Sequence, residues 1–239
     1  MKKLIQLLIT LLAYSHFLNA QTGASNVTGK IEANWNPGGI VVTKKMEVGE
    51  TKGTVFLNDD WYMGSIYLTS GGSIENYPLK FNLALDNMEI KTDDEIKVLS
   101  ANFIESFTWY ELETSQQVSY IPCKNYKYEG HEFFGFFKVL YQDSTSLFSR
   151  AELAIKKGYY NQTHDAGTPE DEYLRKVSYF IAIGENVYNA NSKKQVLHAV
   201  GDDGDQLKSF AKENKLNFGH EEDLAEIVKY YNSLSEGSR

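Results

Sequence analysis

Between Gly53 and Tyr110 the chain runs in short stretches of alternating apolar and polar residues divided by turn signals. A period of two repeated over so many segments points to an antiparallel meander. Tyr77, Leu79, Phe81 and Leu83 fall on one strand face and Lys80 and Asn82 on the other, because side chains alternate along a strand. Asp86-Asn87 then turns the chain, Met88 and Ile90 alternate with Glu89 and Lys91, Asp93-Asp94 turns it again, and Ile96 and Val98 alternate with Lys97. The expectation is three successive strands that share one apolar face. Upstream, Trp61 to Leu68 and Ser73 to Tyr77 flank Ser70-Gly71-Gly72, where glycine permits the positive φ of a tight hairpin. Pro78 implies an edge or a bulge.

A second β block is expected at Phe133 to Tyr141, Leu147 to Tyr159 and Val177 to Ile183. Leu147, Ala151, Leu153 and Ile155 share a face opposite Arg150, Glu152 and Lys156, which favours strand over helix. Tyr160 to Tyr173, with Gly167 and Pro169, reads as a long loop. From Ser192 the period becomes helical: Ser192 caps a helix to Val200, and Gly201 to Asp205 interrupts it. Leu207, Phe210 and Ala211 then continue it, with Asp203 or Asp205 as N-cap. Leu224, Ile227, Val228 and Tyr231 form the stripe of a final helix. The fold class is therefore α+β, mostly β. An antiparallel meander, as barrel or sandwich, occupies 47–190, C-terminal helices at 191–235 pack on it, and 236–239 form a frayed tail.

The N-terminus has a different grammar. Lys2 and Lys3 precede an apolar run from Leu4 to Ala13 that Gln6 and Thr10 interrupt, and Leu18-Asn19-Ala20 ends in a cleavable position. This is the pattern of a signal peptide over 1–20, cut after Ala20, and it is too short and polar for a membrane span. The chain is expected to be exported to the periplasm, cell envelope or medium, with no transmembrane anchor in its mature form. No cysteine adjoins the cut to accept a lipid. Residues 21–46 read as a lead-in with a turn at Asn36-Pro37-Gly38-Gly39 and one strand near Ile40 to Thr43.

The net charge is −8, and loss of Lys2 and Lys3 deepens it, so nucleic acid is not an expected partner. Cys123 is the single cysteine, so no internal disulfide can form even where export would allow one. A lone thiol reads as a small buried apolar residue. His131-Glu132 opens like a zinc-protease helix, but Gly135 stands where the second ligand is needed. His220-Glu221-Glu222-Asp223 reads as a helix start whose acids favour the dipole. Asp202, Asp203 and Asp205 lack calcium-loop spacing and read as a turn. Asp59-Asp60 likewise reads as a hairpin turn. Asn26-Val27-Thr28 and Asn161-Gln162-Thr163 are formal glycosylation triplets. No nucleophile elbow, phosphate loop or paired Cys-x-x-Cys occurs, and no catalytic, cofactor-binding or metal residue is assigned.

Aromatic residues make up 13% of the chain, and Phe133-Phe134-Gly135-Phe136-Phe137 places rings on both faces of a strand. Both sets then need cover, from the rest of the fold or from a ligand. The signal ending Leu-Asn-Ala-Gln, the run Asn76-Tyr77-Pro78-Leu79-Lys80-Phe81-Asn82 to Glu89-Ile90-Lys91-Thr92, and the ending Glu213 to Phe218 and Tyr230 to Leu234 together mark a resemblance. In these segments the chain resembles exported proteins of unknown function from Bacteroidota-type bacteria. The resemblance implies a periplasmic or envelope location and carries no site residues. The expected function is a non-catalytic envelope or secreted module that binds an envelope protein or a surface component. The alternatives are a β-barrel carrier of an apolar ligand and a hydrolase built on His131 or His164.

Overall fold

The computed structural model describes residues 52–161, 166–168 and 170–236. The expected signal peptide, lead-in and Ile40 to Thr43 strand lie outside them, as do His164 and the last three residues of the tail. Six strands come first: β1 (Tyr62–Leu68), β2 (Ser73–Asn82), β3 (Asn87–Lys91), β4 (Ile96–Ser100), β5 (Ile104–Glu111) and β6 (Gln116–Pro122). They are followed by β7 (Lys127–Tyr128), β8 (His131–Glu132), β9 (Phe136–Tyr141) and β10 (Thr145–Lys156). The remaining strands are β11 (Tyr159–Asn161), β12 (Ala166–Thr168), β13 (Glu172–Ile183) and β14 (Asn186–Asn189). Three helices close the chain: α1 (Lys193–Val200), α2 (Gly204–Glu213) and α3 (Glu221–Glu236).

Twelve strands form one sheet in the order β4-β3-β2-β1-β5-β6-β9-β10-β13-β14-β7-β8, antiparallel except for β14 with β7, while β11 and β12 pair separately. The α+β, mostly β expectation holds. Of the two forms expected, the barrel is not realised, because the large sheet does not close. It nevertheless curls, for a reason of chain length. Four strand spacings separate β4 from β5, roughly 19 Å on a flat sheet. Only Ala101–Phe103 connect them, a reach of at most about 15 Å. The same argument applies to Cys123–Tyr126, which carry the chain from β6 across to β7, next to the far edge strand β8.

The two curls bury opposite faces. In the first, register places Tyr62 beside Leu79, Leu79 beside Ile90, Phe81 beside Met88 and Ile66 beside Phe107, all of them buried. Phe107 stacks on Tyr120 at 4.5 Å and meets Phe136 at 5.1 Å. In the second, Phe137, Phe148 and Phe180 sit under Cys123, Tyr126, Tyr128 and Phe133. The reverse side of this half, at Leu147 and Ile181, packs against Val196, Leu207, Leu224, Ile227 and Val228 of the helices. Phe136 and Phe137 are thus adjacent in sequence and buried in different cores, with the fold itself covering both. Asn232 fixes α3 to the start of β10: its side-chain amide donates to the Thr145 carbonyl at 2.8 Å and its oxygen accepts from the Thr145 N–H at 2.9 Å.

Several local expectations change. Ser73–Asn82 is one strand through Pro78, which lies inside the sheet rather than at an edge. Pro78 pairs with Met63, and a register shift, the expected bulge, follows directly between Gly64 and Ile66. In β4 the pairing of Met88 with Leu99 and of Ile90 with Lys97 puts Leu99 on the apolar face and turns Ile96 outward, one residue out of the expected register. Tyr160 to Tyr173 is not one loop, since it contains the β11–β12 hairpin, and β13 begins at Glu172. Ser192 caps α1 by accepting from the Gln195 N–H. Asp203 occupies the N-cap position of α2 without a side-chain cap bond.

Candidate functional site

Strand β9 pairs with β10 only as far as Ser149, opposite Lys138, whereas β10 and β13 remain paired out to Lys156 and Glu172. Past that point the two form a projecting ribbon, joined on its β13 side by a single bridge from Lys52 to Glu172. A cleft of about 550 Å³ lies where the ribbon parts from the sheet. Five consecutive residues, Ser149 to Leu153, line it. A strand that presented a face would contribute alternate residues, so β10 presents its edge. Phe81, Leu83, Phe136 and Val177 supply apolar walls.

One end of the cleft is charged and half-buried. Glu111 ends β5, Lys138 lies on β9 and Glu221 starts α3. Lys138 Nζ is 2.8 Å from Glu111 Oε1 and 3.8 Å from Glu221 Oε1. Tyr120 is 5% exposed and lines the same end. Burial raises its hydroxyl pKa far above the ordinary tyrosine value, and the fields of Glu111 and Glu221 raise it further. Beside it the buried Trp109 indole N–H, in edge contact with the Tyr120 ring, interacts with the Tyr120 hydroxyl and opposes that rise in part. The neighbouring Tyr62 hydroxyl donates to Glu113 at 2.8 Å. Hydrogen bonds from its own backbone and from Tyr62 hold the Glu113 carboxyl below the usual range.

At the other end, Arg175 donates to the Leu57 carbonyl at 3.1 Å and to Asp59 at 3.0 Å. The Arg150 guanidinium pairs with Glu152, donates to the Phe134 carbonyl at 3.1 Å and lies 4.7 Å from the Phe133 ring centre. Burial raises the Asp86 carboxyl pKa against the opposing field of Arg150. The cleft is thus an apolar trough with ion-paired charge at both ends, and among the described residues no histidine or cysteine lines it.

The residues weighed from sequence fall elsewhere, with one exception. His131 is exposed on β8, with no carboxylate within 4.0 Å among the described residues, and His198 is exposed on α1. Asp202 and Asp203 form a turn before α2. Asp59-Asp60 is a bend leading into β1 rather than a hairpin turn, with Asp59 tied to Arg175. Asp223 reaches back to accept the Asn217 N–H at 2.9 Å, as a helix-start acid should. Its neighbour Glu221 is the exception, since it also meets Lys138 in the cleft. The sequence holds no sign of this pairing, because the two residues stand far apart in the chain and on different elements. Among the described residues no group of three His, Cys, Asp or Glu side chains is placed to hold a metal ion.

Cys123 is fully buried, and burial pushes its thiol up to about 12 although Arg150 opposes the shift. A disulfide exchange reagent at pH 8 should therefore leave the native chain unlabelled and titrate one thiol per chain in denaturant. Rapid labelling of the native form would show that the 123–135 segment opens readily. Comparisons with protein-family models, with curated proteins and with solved structures give no match. No helix among the described residues is long and apolar enough to cross a membrane.

Proposed function

We propose that the chain is an exported, non-catalytic binding protein whose partner is an envelope protein or surface component, gripped by the ribbon and the cleft at its base. The observation that carries this reading is the exposure of large apolar side chains on the two-stranded ribbon. Ile155 is 52% exposed, Val177 50% and Leu174 40%, with Tyr159 at 72% just beyond. Phe134, also at 72%, stands across the cleft. Scattered exposed apolar residues need no explanation, but several on one projecting element mark a contact surface. The carrier reading in its barrel form loses the enclosing wall it requires, because the sheet is open and its curls are filled by Phe and Leu side chains.

Photo-crosslinking residues at Ile155 and Val177, introduced one at a time in the cells that export the protein, should capture a discrete partner. The same residue at Lys229, exposed on α3, should not. Val177→Asp, on the same ribbon face as Ile155, should reduce the Ile155 adduct several-fold while leaving the fold intact, since surface changes of this kind cost only about 0.5 kcal/mol of stability. Equal capture at Lys229, or none at either ribbon position, would remove the reading.

A further inference from the structure

The charged end of the cleft carries more negative charge than its one cation balances. Among the described residues Lys138 is the one cation within 4.0 Å of Glu111 and Glu221, close to the first and farther from the second, which the Tyr179 hydroxyl also engages. Tyr62 lies in the field of both Glu113 and Glu111, which places a third carboxylate on this side. The side chains of Glu111 and Lys138 are 18% and 21% exposed, so the excess charge is only partly screened by water. Tyr120, more than nine-tenths buried, brings to this cleft end a hydroxyl whose neighbouring polar group is the Trp109 indole N–H, with no carboxylate or carbonyl partner among the described residues. A bound anion here would meet two carboxylates and an ammonium already engaged. A cation would find a carboxylate only partly engaged by Lys138 and Tyr179, a hydroxyl oxygen and apolar walls at Phe81 and Phe136.

We propose that the Glu111–Tyr120–Glu221 end of the cleft recognises an alkylammonium or guanidinium group carried on an apolar chain, with Glu221 and the Tyr120 oxygen as its acceptors. This rests on the reading of the protein as a binding module and names the chemistry its cleft selects. The group comes either from a free amine or from a Lys or Arg side chain of a partner polypeptide.

Calorimetric titration of the full mature chain distinguishes these sources. The probes are hexylammonium, 1-hexanol, and a short leucine-flanked peptide with a central lysine beside its norleucine counterpart. Hexylammonium should bind at least about tenfold more tightly than hexanol. Tighter binding of the lysine peptide than of hexylammonium assigns the group to a partner chain, and the reverse assigns it to a free amine. Glu221→Gln should weaken the amine about tenfold and Tyr120→Phe a few-fold, with far-ultraviolet circular dichroism unchanged. The Tyr120 variant loses a single oxygen and serves as the test if the Glu221 variant folds poorly.

Equal affinity for amine and alcohol, or for the lysine and norleucine peptides, overturns the proposal. Absence of binding by every probe, or indifference to both substitutions, does the same. Ribbon crosslinks without amine binding would sink this inference and leave the module reading standing. Amine binding without crosslinks would do the opposite.

Discussion

Phe137→Ala is expected to destabilise the protein by about 3–5 kcal/mol, the range for removal of a fully buried phenylalanine. Phe137 is fully buried, and its ring lies 5.2 Å from that of Phe148, 5.4 Å from Phe180 and 5.6 Å from Phe133. Its loss removes the centre of the cluster that holds the 123–135 segment against the sheet, where the backbone contributes a bond from the Cys123 N–H to the Gly135 carbonyl at 2.9 Å. The cavity cannot collapse easily, because the rings around it sit on two paired strands, β10 and β13, and on the crossing segment. Urea denaturation followed by circular dichroism gives the value, and Phe134→Ala, at an exposed ring in the same run, should cost less than about 1 kcal/mol. A loss under about 1.5 kcal/mol for Phe137→Ala would mean that this cluster is not a core. The thiol of Cys123 lies in the same cluster, so the Phe137 variant should also expose it to labelling.

The contrast between Phe134 and Phe137 marks the limit of what the sequence discloses. Alternation locates β2 and β3 best, because there the buried and less buried residues differ in kind: Leu79 and Phe81 against Lys80, Met88 and Ile90 against Glu89. It was silent on the cover of the second core. Cys123–Asn125, β7 and β8 are too short to carry a period, and their place at the far edge of the sheet depends on a parallel pairing with β14 that no local signal encodes. The β4 register went astray because Ile96, Val98 and Leu99 supply apolar residues to both faces, and only the partner strand decides between them. The helices were legible down to the Ser192 cap, since capping and stripe are local. The cleft was not. Glu111, Lys138 and Glu221 come from a strand end, a strand middle and a helix start, and Glu221 has a sufficient local role in the helix dipole that conceals its second one.

Gly64→Ala is expected to cost at least about 2–3 kcal/mol, the upper part of the usual range for overpacking, despite adding one methyl group. Gly64 lies between Tyr77 of β2 and Trp109 of β5, at the start of the register shift between Gly64 and Ile66. A Cβ there would stand 2.2 Å from the Thr108 carbonyl oxygen, 2.8 Å from Trp109 Cβ and 2.9 Å from Leu79 Cδ1. The leucine methyl can rotate away, but the carbonyl belongs to the β1–β5 ladder and moves only if that pairing opens. The close approach fits the curl that the short Ala101–Phe103 connection imposes on these strands, and glycine is the residue that leaves room for it. Gly71→Ala separates this steric cause from glycine's conformational freedom. Gly71 has a φ of +82° but nothing within 4 Å of an added Cβ, so its substitution should cost only about 1 kcal/mol through backbone strain. Thermal melts of the two variants should therefore rank Gly64→Ala well below Gly71→Ala. Equal shifts would mean that the first curl has slack at its inner wall and that the short connection is absorbed elsewhere in the sheet.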